Sequence, residues 1–207
     1  MTLNELIAEG EHTQQDFKMR VDDSRKIART MSAFANTKGG RLLIGVKDNG
    51  KVSGINPTEE FHIIDAASEM YCKPKVEFTS HVWQQGHKLV LQINVAPSST
   101  KPHRSPDEEG KWVTYIRVDD NTLLANKILV RVWNSRQKKN AKPEVMSEPQ
   151  VAFLRLIESQ GKCTLSKLYR MSDLNKREVD DLLVLFICWD LVNQEITNEG
   201  TFYFTVD

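Results

Sequence analysis

Residues Gly45 to Lys51 read GVKDNGK, the G-x-x-x-x-G-K spacing with which a glycine-rich loop and a lysine cradle nucleotide phosphates. Position 52 is Val, so the hydroxyl that would hold magnesium is missing. The loop also leads into strand-forming residues, so no helix N-terminus would face the phosphates. A hairpin turn is the reading, and ATP hydrolysis is not expected. A second candidate pair is Asp16 and Lys18. On an extended strand, residues two apart share a face about 7 Å apart along it, which sets a carboxylate beside an ammonium. A third group lies in the last third of the chain, where Asn175, Lys176 and Arg177 open an amphipathic segment and could meet nucleic acid. Cys72, Cys163 and Cys188 fit no zinc or disulfide spacing, and the five histidines pair with no metal-ligand pattern.

The charge balance is zero overall, 28 bases against 28 acids, but it is unevenly spread. Residues 1–130 hold seventeen of each, and residues 131–142 hold five bases and no acid. Residues 143–207 hold six bases and eleven acids. The basic stretch, with Arg136, Lys138, Lys139 and Lys142, could contact phosphates and release counterions, or serve as a solvated linker. No apolar run approaches the roughly 20 residues that cross a bilayer, and the first residues lack a signal peptide's basic and apolar regions. A cytoplasmic protein with no membrane partner is expected.

The elements that must position these residues follow from pattern. Thr2 and Glu5 have capping-box spacing, and so do Ser147 and Gln150. Phe17, Met19 and Val21 alternate as in a half-buried strand. Asp22 or Asp23 caps a helix with the stripe Ile27, Met31 and Phe34, and the apolar run LLIGV suits a buried strand. A helix is predicted over 57–72, strands near 76–83, 89–95 and 112–118, a loop over 100–110, and a helix over 123–133. This is an α/β (α+β) domain over residues 1–135, followed by a basic linker over 136–146. Residues 147–207 read as three helices and a β-hairpin around Asn198 to Thr201, the outline of a small winged helix-turn-helix domain. Its last helix is apolar nearly all round, so Val184, Leu185 and Trp189 are expected to pack on the first domain or on a second subunit.

The stretch EGEHTQQDFK, then FANTKGG running into LLIGV and Asp48, resembles the Schlafen-type AlbA-2 domain, a family of bacteria and of vertebrate Schlafen proteins. Lys101-Pro102-His103 and Tyr115-Ile116-Arg117-Val118 are similar to further landmarks of that family. The resemblance covers roughly residues 3–130. It implies an AlbA-2-like fold and, in nuclease-active members, an acidic triad that holds divalent metal and cleaves RNA. Here that triad would be Glu11, Asp16 and Asp48 binding Mg²⁺ or Mn²⁺, with Lys18 offsetting phosphate charge. The family's second carboxylate is usually Glu, and where it often has two acids after Gly-Val this chain has Lys47 and then Asp48. Asn36, Thr37, Gly39 and Gly40 are expected to close a helix rather than touch a ligand. The leading expectation is a nucleic-acid-binding protein, a bacterial DNA-binding transcriptional regulator that forms a homo-oligomer. The alternatives are a metal-dependent endoribonuclease acting on structured RNA and a non-catalytic oligomeric assembly module.

Overall fold

The computed structural model describes residues 1–136 and 145–206, which form two compact units, Met1–Ala125 and Asn126–Asp207. Helix α1 (Leu3–Ala8) starts at the Thr2/Glu5 capping box and is followed by strand β1 (Gln15–Lys18). Asp23 caps α2 (Ser24–Asn36), whose end leads directly into β2 (Gly40–Ile44). Then come α3 (Pro57–Tyr71), β3 (Thr79–Gln85) and β4 (Lys88–Val95). The first unit closes with β5 (Arg104–Pro106), β6 (Trp112–Val118) and β7 (Asn121–Leu124).

One sheet has the order β1-β2-β4-β3, with β1 parallel to β2 and the other pairs antiparallel; the second has the order β5-β6-β7. Side-chain alternation splits the LLIGV run between two cores. Leu42 and Ile44 join α2 and α3, while Leu43 joins Leu3 and Leu6 of α1 with Phe17, Val46 and Val90. That is why the run is apolar throughout: the central strand is buried on both faces.

Helix α2 packs on β2 and β4, on α3, and on β5 and β6. A helix enclosed this way needs its polar side chains satisfied inside. Ser32 Oγ lies 3.1 Å from Ser105 Oγ, and Arg29 Nε donates to the Pro106 carbonyl at 3.1 Å. Asn36, fully buried, does most. Its Nδ2 donates to the carbonyls of His103 and Tyr115, and its Oδ1 accepts from His103 N–H, all at 2.8 Å. The turn after it admits only glycine. Gly39 has φ +74° and a Cβ there would stand 2.7 Å from the Val95 carbonyl oxygen, while a Cβ on Gly40 would stand 2.4 Å from the Phe34 ring. The expected structural role of Asn36, Thr37, Gly39 and Gly40 is what the geometry gives.

The second unit begins earlier than the sequence suggests. In place of one helix over 123–133 there are β7 and then α4 (Lys127–Arg136), and α4 belongs to the C-terminal unit. Asp119 takes a left-handed conformation (φ 52°) that turns β6 back into β7, and Asn126 Oδ1 accepts from Leu129 N–H to open the helix. The unit continues with α5 (Glu148–Gln160), β8 (Cys163–Thr164), α6 (Leu165–Met171) and α7 (Lys176–Cys188). A hairpin of β9 (Val192–Thr197) and β10 (Gly200–Thr205) completes it, in the sheet order β8-β10-β9. Ile128 and Val132 of α4 enter the same core as Phe153, Leu168, Leu183, Val184 and Phe186. The second apolar face of α7 is therefore covered by the helix that the sequence reading had placed in the first domain.

Two outcomes follow for the first unit. Asn36→Ala leaves three buried backbone groups without a partner and should lower stability by roughly 3 kcal/mol in urea denaturation. His103 is held below the usual histidine pKa of 6.5 chiefly by burial and further by Lys101, against a hydrogen bond to the Pro74 carbonyl. The unfolded chain thus takes up the proton first as pH falls, so stability should decline on acidification from about pH 7.5 to about pH 5.5. The decline should flatten in His103→Gln; a wild-type midpoint independent of pH in that window contradicts the assignment.

Candidate functional site

The acidic residues around β1 are held by the fold. Glu11 Oε1 accepts from Phe17 N–H at 2.8 Å, which ties the segment before β1 to the strand itself. Gln15, fully buried between them, donates to the Leu6 and Gly10 carbonyls and accepts from Arg41 Nε. Asp16 is 6% exposed, and a carboxylate so buried requires counter-charge. Lys18 folds back along the strand to place Nζ 2.5 Å from Asp16 Oδ2, an ion pair rather than an aligned hydrogen bond. On the other oxygen, Asp16 Oδ1 lies 3.4 Å from Arg117 of β6. Arg117 is itself 4% exposed. Its guanidinium also donates to Thr122 Oγ1 at 3.1 Å and to the His12 carbonyl at 3.3 Å, and it lies over the Phe34 ring. In sequence Arg117 stands only in the landmark Tyr115-Ile116-Arg117-Val118; its place in the mostly apolar strand WVTYIRV is the one sign that it could be buried beside an anion.

Asp48 stands apart in an exposed turn. Lys47 N–H donates to the Lys51 carbonyl at 3.0 Å, Gly50 N–H donates to the Lys47 carbonyl at 2.8 Å, and Val46 bridges Val52. The G-x-x-x-x-G-K stretch is thus a hairpin turn, as expected. The triad is not assembled as a cation site. Among the described residues no three His, Cys, Asp or Glu side chains stand close enough together to hold a metal ion. The donor set does not fit Mg²⁺ or Mn²⁺ either, because a hard cation needs several free oxygens and both Asp16 oxygens face cationic nitrogens. Of the residues expected to bind metal or phosphate, Glu11 ties the segment before β1 to the strand, Asp16 and Lys18 pair with each other, and Asp48 stands in an exposed turn.

In the second unit the residues expected to meet nucleic acid divide. Asn175 is the N-cap of α7, with Oδ1 accepting from Arg177 N–H at 3.0 Å and from Glu178 N–H at 3.1 Å, so its side chain is committed. Lys176 and Arg177 are exposed on the first turn, with Lys176 Nζ over the Tyr169 ring. Asp180, buried, pairs with Lys127 Nζ at 2.6 Å and accepts from the Tyr169 hydroxyl, and Asp181 pairs with Arg131. These two acids therefore bind α4 to α7. Arg136, expected as a linker cation, donates to the Ile187 carbonyl and to Asp190 at the far end of α7. Lys138, Lys139 and Lys142 lie outside the described residues.

A structural role for the buried pair has a direct consequence. Arg117→Ala leaves the buried Asp16 with Lys18 as its one counter-charge and should cost roughly 3 kcal/mol, whereas replacing both, as Asp16→Leu with Arg117→Met, should recover most of that loss. Urea midpoints of the two single variants and the double variant check this; full stability of Arg117→Ala contradicts it.

Among curated proteins, none matches this chain. Two solved structures resemble it at low identity. One is the DIP2311 protein of Corynebacterium diphtheriae, at 17% identity and a TM-score of 0.42 over 93% of this chain, which spans only 34% of the length of that protein. The other is the N-terminal domain of a RecG-related protein of Nitrosomonas europaea, at 18% identity and a TM-score of 0.43, covering 72% of this chain and 95% of that one. Residues 11–126 match the family described as Schlafen, AlbA_2, and with more than half of its 207 residues inside that match the chain belongs to this family.

Proposed function

We propose that this protein binds nucleic acid without cutting it, and that its C-terminal unit engages duplex DNA as a winged helix-turn-helix, as a DNA-binding transcriptional regulator does. The observation that carries the reading is the order α6, turn, α7, hairpin, with Lys176 and Arg177 exposed on the first turn of α7. That turn also presents the positive end of a 13-residue helix to an incoming phosphate. Arg170, exposed near the end of α6, adds a third cation just before the turn in sequence. The AlbA_2 membership of the first unit accords with a nucleic-acid-associated role.

The way α7 is packed limits what it reads. Its interior faces are taken by α4, α5 and α6, and Asn175 is used in the cap. The hairpin tip carries exposed Glu199, which phosphate would repel. Contacts with the phosphate backbone therefore supply most of the affinity, aided by the linker bases Lys138, Lys139 and Lys142. Base-edge contacts are few, so sequence preference is modest. The endoribonuclease alternative lacks a fitting cation site among the described residues.

Fluorescence anisotropy of labelled duplex DNA against salt tests this. Binding should weaken steeply as salt rises, and Lys176→Glu with Arg177→Glu should weaken it further. The double variant should also flatten the slope of log K against log salt by roughly 0.9 for each phosphate contact removed. Binding with an unchanged slope in that variant moves the interface away from α7, and no salt-sensitive binding in the wild type sinks the proposal.

A further inference from the structure

Sheet edges expose unpaired backbone groups, and proteins protect them by keeping edge strands short or by placing charge, proline or a bulge on them. Most edge strands among the described residues follow that rule. β1 is four residues long and carries Asp16 and Lys18, and β5 is three residues long with Arg104 and Pro106. β7 has four residues, β8 has two, and β9 carries Glu195 in an ion pair with Lys162. β3 is the exception. Its seven residues, TSHVWQQ, contain no charge and no proline. Its register with β4 runs unbroken from Thr79 opposite Asn94 to Gln85 opposite Lys88, so no bulge twists the edge away. Every residue except Trp83 is exposed, Val82 at 47%.

We infer that β3 is the self-association surface of this protein, pairing antiparallel with β3 of a second copy about a two-fold axis at Val82. The strand is complementary to itself in that register. Val82 meets Val82, His81 of each copy meets Trp83 of the other, Ser80 meets Gln84 and Thr79 meets Gln85, with no like charges opposed. His81 and Trp83 already stand edge to face with ring centroids 4.5 Å apart, and the pairing extends them into a cluster of four rings. Two four-stranded sheets become one of eight strands, and an isologous contact of this kind closes on itself. One strand pair makes a small interface, so the dimer forms reversibly with concentration. This assignment is independent of the nucleic-acid reading, because association is measured without DNA.

Sedimentation velocity over a concentration series gives the first test. The wild type should pass from monomer to dimer, while Val82→Lys, which opposes two ammonium groups at the axis, should stay monomeric with an unchanged far-ultraviolet circular dichroism spectrum. Oxidised Val82→Cys gives the second. Opposed Cβ atoms about 4.5–5.5 Å apart should allow a covalent dimer on non-reducing gels. The wild type, whose Cys72 and Cys163 are buried and Cys188 half-buried, should remain monomeric on the same gels. A wild type that is monomeric throughout, a dimer that survives Val82→Lys, or failure of Val82→Cys to cross-link while the wild type dimerises would each overturn the assignment.

Discussion

A guanidinium that is almost wholly excluded from water keeps its charge, so it must find anions and acceptors inside the protein. Arg117 finds them on elements far apart in sequence: the Asp16 carboxylate on β1, the His12 carbonyl just before it, Thr122 on β7 and the ring of Phe34 on α2. Through this one side chain the small sheet β5-β6-β7 is tied to the edge of the larger sheet. Removing Asp16 leaves the Arg117 charge with neutral acceptors alone, and removing Arg117 leaves Asp16 with Lys18 alone, which makes the pair a constraint on the architecture more than a source of net stability. Arg117 also occupies one oxygen of Asp16, while Lys18 occupies the other. A carboxylate committed to an arginine and a lysine has little left to offer a metal ion.

The same economy governs α2. Its sequence, SRKIARTMSAFAN, mixes alanine, serine and asparagine among large apolar residues because the helix is enclosed by sheets and by α3. Small side chains let neighbours approach closely, and Ser32 and Asn36 each find a partner on the β5–β6 side. The Asn-Thr-Lys-Gly-Gly segment then turns directly into the central strand β2. The segment is a clamp and a tight reversal, as its residue types suggest.

Much of this was legible in the residues. The capping pairs Thr2 with Glu5 and Ser147 with Gln150 mark helix starts correctly, as Gln150 Oε1 accepting from Ser147 N–H confirms for the latter. The apolar stripe of α2, the doubly buried β2 and the hairpin after it are all visible as patterns of period and turn chemistry. Two things were not. Periodicity identifies a helix but not the core it joins, and Ile128 and Val132 place α4 in the core of α7 rather than in that of the first unit. Residue type likewise gives charge but not partner. Glu11, Asp16 and Asp48 are acidic at the expected spacing, yet the partner of Asp16 is Arg117, some hundred residues away in the chain.

In the C-terminal unit acids and bases are likewise spent on assembly, with Asp180, Asp181 and Asp190 each bound to a cation of α4. Facing outward on α7 are Lys176, Arg177 and Glu178 of its first turn and Asp181. Both units therefore place a buried acid, Asp16 in one and Asp180 in the other, in ion pairs that join separate elements. The most direct test of that account is to incubate structured RNA with the wild-type protein in Mn²⁺ and in EDTA and follow the length of the RNA. The account predicts RNA of unchanged length under both conditions. Cleavage that requires Mn²⁺ and disappears in a folded Asp16→Asn variant would contradict it.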